Sequence, residues 1–249
     1  MILNQEKLYQ NVIEPDRDSL IWRYMSFEKF VNLISNQALF FSRLDRFPDQ
    51  LEGVLPINNK MRIIDEIKNI SLANLNHAVS YANREEIIIN TYRSYTLANC
   101  WTKNDAESMA LWKIYLDGTR FGIAIQTQYD KLKNALATSE NDVLIGEVQY
   151  CDELCSLQQQ TISLRKTIPY KFENEVRAVI FNQYTSEGPR KGHPKYEYGV
   201  EVKIEIEKLI DKVYLPPLCQ KWYEQTIENL IKKYDFKFTL VKSAIAENL

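Results

Sequence analysis

Glu173, Glu175 and Arg177 occupy every second position of "PYKFENEVRAVIF" (169–181), a stretch otherwise rich in β-formers. Side chains alternate across a strand, so a strand running from Phe172 to Phe181 would put all three on one face and Asn174, Val176 and Ala178 on the other. Paired carboxylates can do acid–base work or stabilise a sugar that becomes cationic as one of its bonds breaks. The same pattern also suits a solvent-facing charged ladder, worth only about 0–1 kcal/mol per pair. Two features weigh against the ladder. "AVIF" (178–181) is a continuous apolar run, which points to a strand covered on both faces. Unusual residues upstream also complete a pattern: Arg23 is a lone guanidinium inside the apolar "LIWRYM" (20–25), and "CWT" (100–102) ends another strand in Thr102. Three such strands can converge on one cleft, with Arg23 holding a phosphate bidentately and a Glu hydrogen-bonding a ribose hydroxyl. Arg23 has a plainer alternative as a buried ion-pair partner.

The elements that must position these residues are legible in outline. "LIWRYM" reads as a strand, and Ser26 as the N-cap of a helix that buries Phe27, Phe30, Val31 and Ile34 and ends near Asn36. "ALFFSR" (38–43) is a short strand, followed by the loop "LDRFPDQLEG". Residues 58–95 are amphipathic at helical spacing and carry no strand signal, a helical insertion between β-rich regions. "TLANCWT" is a strand, and Asn104 with Glu107 suggests a capping box opening a helix over "DAESMALWKIYL". Strand, helix and strand follow in "RFGIAIQT", "YDKLKNALA" and "DVLIGEVQYC". "DELCSLQQQTISLRK" reads as helix, "YEYGVEVKI" and "KLIDKVYLPP" as strands, "CQKWYEQTIENLIKKY" as helix and "FKFTLVKS" as the closing strand. Strands outnumber helices outside the insertion and do not alternate strictly with them, which favours an α+β fold with mixed or antiparallel sheets.

Composition narrows the chemistry. The chain has 249 residues, 45% hydrophobic and 26% charged, enough for one large domain (1–249) carrying the insertion. A net charge of -2 gives no global field for nucleic acid or an anionic membrane. Four cysteines without C-x-x-C spacing suggest reduced thiols in a cytoplasmic protein, and neither a signal-peptide layout nor an 18-residue apolar run is present. With two histidines, His77 and His193, a metal site or a His-based triad is disfavoured, although His193 in a loop stays open. Walker and Rossmann glycine motifs are missing. The chemistry therefore falls to carboxylates, Arg, Ser/Thr and Tyr.

"LIWRYMSFEKFVNLISNQALFFSRLDRFPDQLEG", "NCWTKNDAESMALWKIYLDGTRFGIAIQT" and "KFENEVRAVIF" resemble the bacterial domain-of-unknown-function family 2971. The shared features are an Arg/Lys-Tyr strand opening, an F-S-R-x-x-x-F segment, an M-x-x-W-x-x-Y helix (Met109, Trp112, Tyr115) and the E-x-E-x-R strand, over roughly residues 20–243. "PDQLEG" stands where that family usually ends in "DPFEG". The layout is in turn similar to ADP-ribosyltransferases of the Arg–Ser–Glu type, whose split sheets bind NAD. That resemblance implies NAD as substrate, without a metal. Arg23 would hold its pyrophosphate, Thr102 would match the polar strand residue (although "CWT" departs from S-T-S), Glu175 would be catalytic, and Glu173 would orient or deprotonate the acceptor. Trp22, Tyr24, Trp101, Trp112 and Tyr115 offer faces for nicotinamide or adenine, although their spacing also suits a core. Ser42 and Arg43 would line the cleft and Arg177 would join the cofactor-binding set, while Glu52, after a Pro-containing loop, reads more simply as an ordinary loop carboxylate. The acceptor, macromolecular or small, is not specified. A different class stays open: a non-catalytic nucleotide- or partner-binding module of a bacterial defence system, with Glu173, Glu175, Arg177 and Arg23 as a structural ion-pair network. A hydrolase run by carboxylates on another nucleotide or glycoside is a third reading.

Overall fold

The computed structural model describes residues 12–71, 74–116, 121–153, 159–181 and 197–246. Within them the chain is α+β, built on a mixed sheet of mostly antiparallel strands. The strands are β1 (Leu20–Ser26), β2 (Ala38–Arg43), β3 (Thr96–Lys103), β4 (Gly122–Gln128), β5 (Val143–Glu147), β6 (Gln149–Tyr150), β7 (Arg165–Lys166), β8 (Glu175–Phe181), β9 (Gly199–Lys203), β10 (Lys212–Leu215) and β11 (Thr239–Lys242). The helices are α1 (Phe27–Asn36), α2 (Ile57–Ser71), α3 (Leu75–Tyr95), α4 (Met109–Leu116), α5 (Tyr129–Ala137), α6 (Gln159–Ser163), α7 (Ile206–Leu209) and α8 (Lys221–Lys233).

Strand β3 is the hub. One of its edges pairs with β8 from Thr96↔Phe181 to Thr102↔Glu175, and β5 lies beyond β8. Its other edge is shared, with β1 paired only at Ile21↔Lys103 and Trp22↔Thr102, and β2 only at Ser42↔Ala98 and Arg43↔Leu97. Continued in register, β1 beyond Trp22 and β2 before Ser42 would claim the same residues, Asn99 to Trp101. Both cannot pair there, so the sheet forks into an arm β1–β4–β10–β11 and an arm β2–β9. Side chains occupy the fork: Asn99 Nδ2 donates to the Phe40 carbonyl at 2.9 Å, and Arg23 Nη1 to the Cys100 carbonyl at 3.3 Å. Both supply donors that a neighbouring strand would otherwise provide.

The main core lies on one face of this sheet, where α1, α5, α7 and α8 cover Ile21, Met25, Leu97, Trp101, Ile123, Val176 and Ala178. On the other face Leu111 and Trp112 of α4 pack on Trp22, Tyr24 and Ala124. Helices α2 and α3 form their own cluster around Ile63, Ile64, Ala78, Ala82 and Ile89, which also takes in Leu55 and Ile162.

Several sequence expectations are corrected. The helix foreseen from Asn104 starts at Met109; Ser108 precedes it, and Glu107 instead accepts from Trp112 Nε1 at 3.0 Å and from the Ala244 amide at 2.6 Å. Over "DELCSLQQQTISLRK" the described helix is Gln159–Ser163, and residues 165–166 pair as β7 because Gln149↔Arg165 gives them a sheet partner. "DVLIGEVQYC" divides into β5 and β6, and the "KLI" of "KLIDKVYLPP" closes α7 before β10 begins. His193 and Cys155 lie outside the described residues. No helix among the described residues is long and apolar enough to cross a membrane.

Candidate functional site

The strand expected from Phe172 begins at Glu175. Residues Ile168–Glu173 wind as a 3-10 turn, and Asn174 closes it in the left-handed region at φ 40°, a conformation Asn tolerates because its short side chain bonds locally. The Asn174 side chain is bonded to the Lys103 carbonyl, and the Lys103 amide donates to the Asn174 carbonyl at 2.8 Å. Glu173 is therefore not part of the β8 ladder, and the expected three-in-a-row face is corrected to Glu175 and Arg177 alone.

Those two residues are buried. Arg177 is 0% exposed and Glu175 5%, because the Ser163 end of α6, the Phe47 ring and Glu52 cover this face while β3 and β5 pair along its two edges. Arg177 Nε and Nη2 donate to the two Glu175 carboxylate oxygens at 2.8 and 2.9 Å, and Nη1 donates to the Ser163 carbonyl at 2.8 Å. Glu52 reaches the same guanidinium, its Oε1 2.8 Å from Arg177 Nη2. That contact is short but off the hydrogen-bond direction, so both Glu52 oxygens stay buried without a hydrogen-bond donor; charge attraction holds the pair. Lys166 completes the cluster, its Nζ 2.6 Å from Glu173, 3.6 Å from Glu175 and 3.7 Å from Glu52. Three carboxylates thus face two cations, and one negative charge is left over when all are ionised.

The electrostatics separate the two neighbouring glutamates. Burial alone would raise the Glu175 pKa, but the charges and hydrogen bonds of Arg177, with Lys166 and the Cys100 thiol, hold it at about 2. Burial dominates at Glu173, where it raises the pKa above the ordinary carboxylate value against the pull of Lys166. Cys100 is pushed well up by burial and by Glu175, so it stays a thiol and a donor. Tyr150 Oη accepts from the Glu175 amide at 2.8 Å, which fixes the first residue of β8. Carboxylates driven apart in this way suit one permanently charged role and one proton-exchanging role.

Arg23 differs from the other cations here. It sits in the fork, half-buried, 6.0 Å from the Trp101 ring and bonded to the Cys100 carbonyl. No carboxylate among the described residues pairs with it, and burial pulls its pKa below the usual guanidinium value. Glu175 stands next along, since Cys100 touches both residues. Tyr115 feels both: the residue is 40% exposed, while burial of its hydroxyl, Cys100 and the charges of Glu175 and Glu173 raise its pKa against the pull of Arg23.

Other candidate residues are committed elsewhere. Tyr24 is buried, its hydroxyl accepting from the Ser108 amide at 2.7 Å and its ring stacked on Tyr115. Trp101 is 2% exposed and donates to Asn99 Oδ1 at 2.7 Å. Thr102 is buried opposite Glu175. Ser42 and Arg43 are not brought to this point. They pair with Ala98 and Leu97, about 13 and 17 Å along β3 from Thr102 at the usual strand rise, and Arg43 is held bidentately by Asp45. Lys166 and Tyr150 carry no motif, so only the tertiary structure reveals them, whereas Glu52 is the acid of the "PDQLEG" loop. Compared with known proteins, the sequence matches no family model, and no curated protein shows significant similarity to it.

Proposed function

We propose that this chain is an ADP-ribosyltransferase-like enzyme that binds NAD, breaks the nicotinamide–ribose bond and passes ADP-ribose to an acceptor, consistent with its resemblance to family 2971 and the Arg–Ser–Glu layout. The observation that carries this reading is Arg23, a half-buried guanidinium without a carboxylate partner among the described residues, bonded to the carbonyl of Cys100, the residue whose thiol bonds Glu175 of a carboxylate cluster with excess negative charge. An uncompensated cation suits a pyrophosphate, and the negative cluster suits a sugar that turns cationic. In this reading the C–N bond breaks with its electron pair leaving on nicotinamide. The acceptor attacks the sugar carbon, and its proton passes to Glu173, the carboxylate with the raised pKa. Glu175, held ionised by Arg177, supplies a fixed charge behind it.

One observation favours the second reading, a non-catalytic nucleotide- or partner-binding module. Both Glu175 oxygens are occupied by Arg177, as in a structural ion pair. Nicotinamide release from NAD separates the two. Wild type should release nicotinamide, Arg23→Gln should raise KM, and Glu173→Gln should lower kcat roughly 10²-fold or more, all with melting temperatures close to wild type. Absence of release, together with no thermal shift on adding NAD, would favour the binding module.

A further inference from the structure

We infer that Lys166 is the positioning residue of Glu173: its ammonium, seated among three carboxylates, fixes where the Glu173 side chain stands and in which protonation state it meets a substrate. The inference rests on the proposed reading of Glu173 as the working carboxylate. Its basis is geometric. Lys166 lies on β7, pinned by pairing with Tyr150 of β6 and by the Tyr170 ring 4.6 Å from its Nζ. From there Nζ contacts Glu173 at 2.6 Å and Glu175 and Glu52 at longer range. Arg177 cannot take over this duty, because its Nε, Nη1 and Nη2 are directed at Glu175, Ser163 and Glu52. The charged and titratable groups facing Glu173 are Lys166 of β7, Glu175 and Arg177 of β8, Tyr150 of β6 and Tyr115 of α4. Without Lys166, Glu173 would stand beside the Glu175 carboxylate with only the committed Arg177 to offset both. It would then hold its proton to higher pH.

The test reads Glu173 directly by ¹³C NMR titration of glutamate carboxyls, assigned by the signal lost in Glu173→Gln. In Lys166→Met the Glu173 midpoint should rise by about one pH unit or more, and in Lys166→Arg it should return towards wild type. Should Lys166→Met fail to fold, Lys166→Met/Glu52→Gln removes one charge of each sign and should show the same rise. An unchanged midpoint in the folded variant overturns the inference whatever the activity. Nicotinamide release provides the second arm. If wild type turns over NAD, the acid limb of kcat should move up in pH with the NMR midpoint. A moved midpoint in a protein that neither releases nicotinamide nor shows a thermal shift with NAD would sink the catalytic reading and leave Lys166 as the residue that sets Glu173.

Discussion

Glu175 illustrates how burial changes what a residue can do. On an exposed strand its contact with Arg177 would contribute little. Here both partners are enclosed, the bond is bidentate, and Glu52 and Lys166 complete the charge balance. Removing one member of such a pair leaves a buried charge uncompensated. Glu175→Gln should therefore destabilise the protein by roughly 3–5 kcal/mol, measured by urea unfolding at pH 7, so loss of activity in that variant alone would say little about catalysis. The pH dependence has a definite sign. The Glu175 pKa is lowered from 4.5 to about 2, so its contribution is fully present above about 4.5 and is lost as the pH falls towards 2. It is on the order of 3 kcal/mol. Glu173, with its raised pKa, acts in the opposite sense and favours the fold at the acid end of its own range. Urea midpoints collected between pH 6 and pH 2.5 should fall with acid in wild type, and less steeply in Glu175→Gln.

Strand β3 does at the level of elements what the charged cluster does at the level of residues. It serves β8 along one edge and two diverging strands along the other, and the fork between them holds Arg23. Asn99 maintains that fork: fully buried, it donates to the Phe40 carbonyl and accepts from Trp101 Nε1. Asn99→Ala would orphan both groups, at about 1–3 kcal/mol each, and should destabilise by roughly 2–4 kcal/mol. Amide exchange should rise at Phe41 and Cys100 more than in the β4–β10 ladder. Equal loosening everywhere would mean that Asn99 is an ordinary core residue rather than the brace of the fork.

Across the molecule, the α2–α3 pair is tied to the site through shared packing. Its cluster includes Leu55, three residues after Glu52, and Ile162, next to the Ser163 whose carbonyl accepts from Arg177. Ile89 of that cluster is 1% exposed. Ile89→Ala should cost about 2–5 kcal/mol and, if the packing is continuous, should unfold in one transition by both far-UV circular dichroism and tryptophan fluorescence. Two separated transitions would show that the helical pair folds independently of the sheet.

The local elements with strong periodicity are legible in the chain alone: "LIWRYM", "ALFFSR", "YDKLKNALA" and "CQKWYEQTIENLIKKY" carry their strand or helix in side-chain spacing, which acts over a few residues. The chain also places the unusual charges, Arg23, Glu173, Glu175 and Arg177, in segments that the fold brings near one another. What those charges face is set by contacts distant in the chain. The left-handed Asn174 takes Glu173 off the strand, the Ser163 end of α6 and the Phe47 ring cover Arg177, and Glu52 and Lys166 come to Glu175 from 123 and 9 positions away in the chain. Ser42 and Arg43 follow the same logic in reverse, since β2 meets β3 at the end away from Glu175. Alternation fixes which side of a strand a residue takes. What covers that side depends on contacts distant in sequence, and local spacing carries no record of them.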